Sequence, residues 1–141
     1  MSYKFVDDVT MADTAFKIEA ENLEELFIDG AKATFESMVD LKAVKQKETR
    51  DIKLESDTVE KLFFDWIGEL IYLKDADYLL FSKFEIDIKQ NDKWSLEATA
   101  YGDKIHVNKQ SMKVDVKAIT YHHFKVEEKN GKWQAFVVLD I

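Results

Sequence analysis

The chain has no cysteine, no proline and only four glycines in 141 residues. Without cysteine there is no disulfide scaffold, no thiolate nucleophile, and no zinc, haem or iron–sulfur site ligated through sulfur. The lack of thiols also fits a reducing compartment. No apolar run approaches the roughly 20 residues that span a bilayer. The opening Met1-Ser2-Tyr3-Lys4-Phe5-Val6-Asp7-Asp8 has no basic region followed by an apolar stretch, so an ordinary signal peptide is not expected and the chain reads as cytoplasmic. Positive charge is scarce as well. Twenty Lys and Arg face 28 Asp and Glu, a formal charge of −8, which disfavours a broad phosphate-gripping surface of the kind that holds DNA or RNA.

What remains is 46% hydrophobic and 34% charged, the balance of a globular chain, and its length suits one domain over residues 1–141. Two segments have helical periodicity. Leu23, Leu26, Phe27, Ala31, Thr34, Phe35 and Met38 form one stripe, with Asn22 placed to cap it and Glu25 in the capping-box position. Val59, Leu62, Phe63, Trp66, Ile67, Leu70 and Leu73 form the other, with Asp57 and Glu60 repeating that capping arrangement. Phe64 and Ile71 widen the second stripe, which implies burial on more than one side.

The rest alternates with a period of two. Phe16 with Ile18 and Ile52 with Leu54 read as strands, as do the sets Phe84/Ile86/Ile88, Trp94/Leu96/Ala98/Ala100, Val114/Val116/Ala118, Phe124/Val126 and Trp133/Ala135/Val137/Leu139. Asn91-Asp92 and Asn130-Gly131 are hairpin turns, the second a type I′ signal. Short turns make adjacent strands antiparallel. Phe136 and Val138 on the second face of the last strand mark it as central and covered on both sides. The expected fold is α+β, two helices packed on a largely antiparallel sheet.

Motifs of common enzyme families are missing: there is no GxGxxG, Walker loop, GxSxG or HExxH. His122 and His123 are neighbours in an expected strand, so their side chains should point to opposite faces and not chelate together, and His106 sits in a polar connection. Trp66 and Trp94 lie on apolar stripes and read as core. The ending Val137-Val138-Leu139-Asp140-Ile141 is less ordinary, because it runs a β-forming strand to the last residue and sets the Asp140 carboxylate beside the α-carboxylate of Ile141. A hard cation with oxygen ligands would relieve their repulsion if a third acid joined them. Asp7, Asp8, Asp13 and Asp40 are candidates, and spacing does not choose among them or between a metal site and a solvated pair.

Four stretches together resemble the archease family, whose members are protein cofactors of the RtcB-type tRNA-splicing RNA ligase. They are Ala12-Asp13 followed by Asn22-Leu23-Glu24-Glu25-Leu26-Phe27; Phe64-Asp65-Trp66-Ile67-Gly68-Glu69-Leu70-Ile71-Tyr72-Leu73; Val116-Lys117-Ala118-Ile119-Thr120-Tyr121-His122; and Trp133 to Ile141. The resemblance implies an SHS2-type α+β core and no turnover of its own. It implies a role in promoting guanylylation of the ligase by GTP and multiple turnover in tRNA splicing. It also implies a divalent ion (Ca²⁺, Mg²⁺ or Mn²⁺) held by Asp13, Asp140 and the α-carboxylate of Ile141, and a ligase partner in place of direct contact with nucleic acid or membrane. Two positions depart from the family's pattern: Thr10-Met11-Ala12-Asp13 lacks the histidine many members carry before this segment, and Gly68 replaces an asparagine. A chaperone-like modulator using the sheet edge or the Thr120-Tyr121-His122 region, and a metal-dependent hydrolase, are the alternative classes. The hydrolase lacks a positioned base and an arginine cluster for phosphate.

Overall fold

A computed structural model describes residues 2–6, 13–106 and 112–141. The order of elements is β1 (Ser2–Val6), β2 (Asp13–Ala20), α1 (Leu23–Glu36), a 3-10 turn at Leu41–Ala43, β3 (Glu48–Ser56), α2 (Val59–Asp77), β4 (Leu79–Gln90), β5 (Trp94–Lys104), β6 (Ala118–Lys129) and β7 (Lys132–Asp140). Among the described residues every strand pairing is antiparallel, but the strands divide between two sheets, one ordered β1-β2-β7-β6 and the other β3-β5-β4. Both helices touch strands of both sheets, and among the described residues one apolar cluster joins them.

Each helix is started by a side-chain cap. Asn22 Oδ1 accepts the Glu25 backbone N–H at 2.9 Å, and Glu25 returns a carboxylate to the Glu21 N–H at 3.1 Å. At α2 the capping side chain is Thr58, which accepts from Lys61 N at 3.2 Å, and not the expected Asp57. Both residues have side chains that cap well, and the chain enters the helix one position later. The two stripes meet in the core, where Phe27 and Phe63 pack edge-to-face at 5.1 Å and the Trp66 indole donates to the Phe27 carbonyl at 3.0 Å.

β7 is flanked by β2 and β6, and Val138 is buried on the face opposite the helices, as the two-faced pattern predicts. Asn130 and Gly131 both take positive φ, 56° and 79°, in the turn between β6 and β7. Three further expectations change. β1 has no counterpart among the strands read from the sequence. The expected strand over Val114–Ala118 does not form before Ala118; Val114 and Ala118 are exposed and only Val116 is buried. Finally, the β6–β7 register breaks between Thr120 and Lys125, where His123 takes a φ of 55°. That irregularity brings the His122 and His123 rings to 4.2 Å between centroids, so they do not point to opposite faces.

Candidate functional site

The alternation of β2 and β7 sorts their residues. Phe16, Ile18, Val137, Ala135 and Leu139 join the core. Asp13, Ala15, Lys17 and Glu19 stand opposite Asp140, Val138, Phe136 and Gln134 on the other face. Asp13 therefore sits directly across from Asp140, although the two come from opposite ends of the chain. Directly opposed residues in an antiparallel pair have Cβ atoms about 5 Å apart, a separation that lets two carboxylates share one cation. Both aspartates are half-buried.

Asp140 is tied on both sides. β2 pairs with it on one flank, Ala118 on the other, and its carbonyl accepts from Lys117 N at 2.8 Å. The segment before Ala118 is anchored by Lys74, a buried lysine of α2 whose ammonium donates to Asp115 at 2.5 Å and to the Val116 carbonyl at 2.8 Å and also meets Asp75 at 2.8 Å. A buried ammonium needs this compensation. Periodicity alone marks Lys74 as one more charge near a helix end, so its role escaped the sequence. Ile141 is half-buried with its side chain packed on the core, which holds the last residue beside the aspartate pair.

The other acidic candidates fare differently. Asp40 Oδ1 accepts from Lys42 N at 3.1 Å and caps the 3-10 turn. Asp7 and Asp8 lie outside the described residues, as do Thr10, Met11 and Ala12. Among the described residues no three His, Asp or Glu side chains group as a metal site. The register thus brings two carboxylates together at the tip, oxygen donors of the kind that suit a hard divalent ion. His106 Nε2 stands 3.9 Å from Asp103 Oδ2.

β6 and α2 also present an aromatic surface. Tyr121, 67% exposed, stacks on Phe64 with ring centroids 3.8 Å apart and planes within 3°. Phe124 meets both rings edge-on. Tyr72 on the same helix is exposed as well.

Residues 3–141 match the model of the archease protein family. The protein archease of Methanopyrus kandleri is 35% identical over 131 residues, 92% of this chain and 94% of that protein. The solution structure of Methanobacterium thermoautotrophicum protein 1598 is 34% identical and superposes with a TM-score of 0.86 over 99% of this chain and 98% of that one. An archease from Thermotoga maritima, described as a possible chaperone, shares the fold with a TM-score of 0.62 at 20% identity, over 94% of this chain and 93% of that one.

Proposed function

The chain belongs to the archease family, and on that premise we propose that it is a cytoplasmic protein cofactor of an RtcB-type tRNA-splicing RNA ligase. It promotes GTP-dependent guanylylation and multiple turnover of the ligase and has no turnover of its own. The observation that carries this reading is the register that sets Asp13 opposite Asp140 at the end of the sheet. With the main-chain carboxylate of Ile141 they offer three anionic oxygen groups to Ca²⁺, Mg²⁺ or Mn²⁺.

A divalent ion bound there would supply positive charge to phosphate oxygens, which is the main need of nucleotidyl transfer. The protein's part is to position that charge. Pairing on both flanks of Asp140 and the Lys74 anchor make the tip rigid, so little ordering is needed when it docks at an active site. The net charge of −8 favours a partner that is basic because it handles RNA.

The test is a time course of ligase guanylylation with GTP and Mn²⁺ in the presence of the wild-type chain, Asp13→Ala or Asp140→Ala. Both variants should fold normally by circular dichroism and lose stimulation. Stimulation at the wild-type rate by either variant rejects the assignment. The exposed Tyr121–Phe64 stack and Tyr72 favour a second reading, a chaperone-like modulator that binds client proteins through this aromatic surface. That reading predicts the opposite pattern, with the aspartate variants active and Tyr121→Ser inactive.

A further inference from the structure

The outward face of the four-stranded sheet has a second chemistry, distinct from that of the tip. Lys4, Lys17, Phe136 and Lys125 stand in register on β1, β2, β7 and β6, forming one row across the sheet. They line a groove of about 550 Å³, within the range of small-ligand sites. The three lysines are exposed and Phe136 is half-buried, with Lys17 Nζ 6.0 Å from the centre of its ring.

This row is built against local electrostatics. Lys4 and Lys17 are directly opposed, and like charges in that position repel. The chain has 28 acids for 20 bases, yet neither lysine is ion-paired with a described residue. Lys125 does have a carboxylate, Glu127 at 3.2 Å. An anion lying over β1 and β2 would remove the repulsion, and the open part of the adjacent half-buried ring would accept a planar group.

The neighbouring rows set the size of the ligand. On one side lie Glu19, Gln134 and Glu127, with Glu19 held by Lys132 at 3.4 Å. On the other side Ala15 and Val138 are buried, and beyond them stand Asp13 and Asp140. The basic strip is thus one residue deep. A long polyanion running along the strands would meet carboxylates at both ends, whereas a short ligand lying over β1, β2 and β7 can keep its charge on the Lys4–Lys17 pair, with Glu19 and Glu127 at the edge of the groove.

We propose that this groove binds a single nucleotide, with its base stacked on Phe136 and its phosphate between Lys17 and Lys4. Neighbouring strands are about 4.8 Å apart, so the ring and the two ammonium groups are separated by one to two strand spacings, the span from base to 5′-phosphate. Stacking on an aromatic side chain contributes roughly tenfold or more per base, with tolerance for base identity.

The experiment is a calorimetric titration of the intact protein with GMP, AMP, UMP, inorganic phosphate and hexauridylate. The expected result is saturable one-to-one binding of the mononucleotides, purines tightest, and at least tenfold weaker binding of inorganic phosphate. Phe136→Ala and Lys17→Glu should each weaken GMP binding at least tenfold with an unchanged circular dichroism spectrum, while Lys53→Glu, on the other sheet, should leave it unaltered. Absence of saturation in the millimolar range, equal affinity for inorganic phosphate, or wild-type affinity in both groove variants overturns the proposal. Hexauridylate binding more than tenfold tighter than UMP also overturns it, by showing a surface for an RNA strand. No ligase is present in the titration, so its outcome is independent of the cofactor reading.

Discussion

Asp29 offers a sharp test of the energetics of this fold. It lies in α1, fully buried, and neither carboxylate oxygen has a hydrogen-bond partner among the described residues. Burial pushes its pKa up from 3.8 to about 6, with Glu25 adding to the rise and Lys32 opposing it. Tyr3 of β1 is nearby, and its own hydroxyl is pushed up by burial, Glu36 and Asp29. Between about pH 4 and 6 the folded chain retains a proton at Asp29 that the unfolded chain has released, so stability falls as pH rises through that window. At pH 7.5 the ionised group costs the fold about 3 kcal/mol, and at pH 4.5 about 1 kcal/mol. Asp29→Asn removes the titration while nearly preserving shape. Its stability relative to wild type should therefore improve by about 2 kcal/mol between pH 4.5 and pH 7.5, or roughly 7 °C in midpoint for a chain of this size. Urea unfolding of both proteins in dilute solution, followed by the fluorescence of buried Trp66, measures the difference directly. All other carboxylates are common to both proteins and cancel. A wild-type-to-variant gap that stays constant across the pH range would show that Asp29 does not titrate there, and the desolvation argument would fail.

Gly68→Ala should stabilise the chain by about 0.5–1 kcal/mol, since the nearest atom to an added Cβ is Ile119 Cγ2 at 4.0 Å and a mid-helix glycine is unfavourable; thermal unfolding checks the sign. Gly30→Ala should do the reverse by about 1–3 kcal/mol, because the new methyl would lie 2.6 Å from Phe63 Cζ in the core. Lys74→Met keeps the stem volume but frees the Val116 carbonyl, so we expect a loss of about 1–3 kcal/mol, together with faster amide exchange at Lys117, the residue that bonds Asp140. Trp66→Phe forfeits the indole bond to the Phe27 carbonyl and part of the packing, a loss of about 2 kcal/mol measurable by urea unfolding.

Local order was readable where one residue's neighbours in the chain decide its state. The i, i+3, i+4 stripes locate both helices, and Asn130-Gly131 locates a turn because both positions need positive φ. Reading failed where a distant group intervenes. Val114, Val116 and Ala118 alternate like a strand, yet the Val116 carbonyl is bound by Lys74 from α2 instead of by a neighbouring strand. His122 and His123 should diverge in a regular strand, and the register break between Thr120 and Lys125 turns them together. Nothing within those segments announces either event.

The tip was legible only in part, for the same reason. Alternation identifies strands without naming their partners, so Asp7, Asp8, Asp13 and Asp40 were equivalent as companions for Asp140 until the family resemblance selected one. Register gives a physical ground for distinguishing the two described candidates. A carboxylate can stand directly across from Asp140 on the same face only if its strand pairs with β7 there, and β2 begins at that position with Asp13. Asp40 lies outside both sheets and spends its carboxylate on the Lys42 N–H. The Lys4–Lys17–Phe136–Lys125 row obeys the same rule. Its members are scattered along the chain and unremarkable in sequence, and only the order β1-β2-β7-β6 assembles them into one strip of positive charge on an acidic protein.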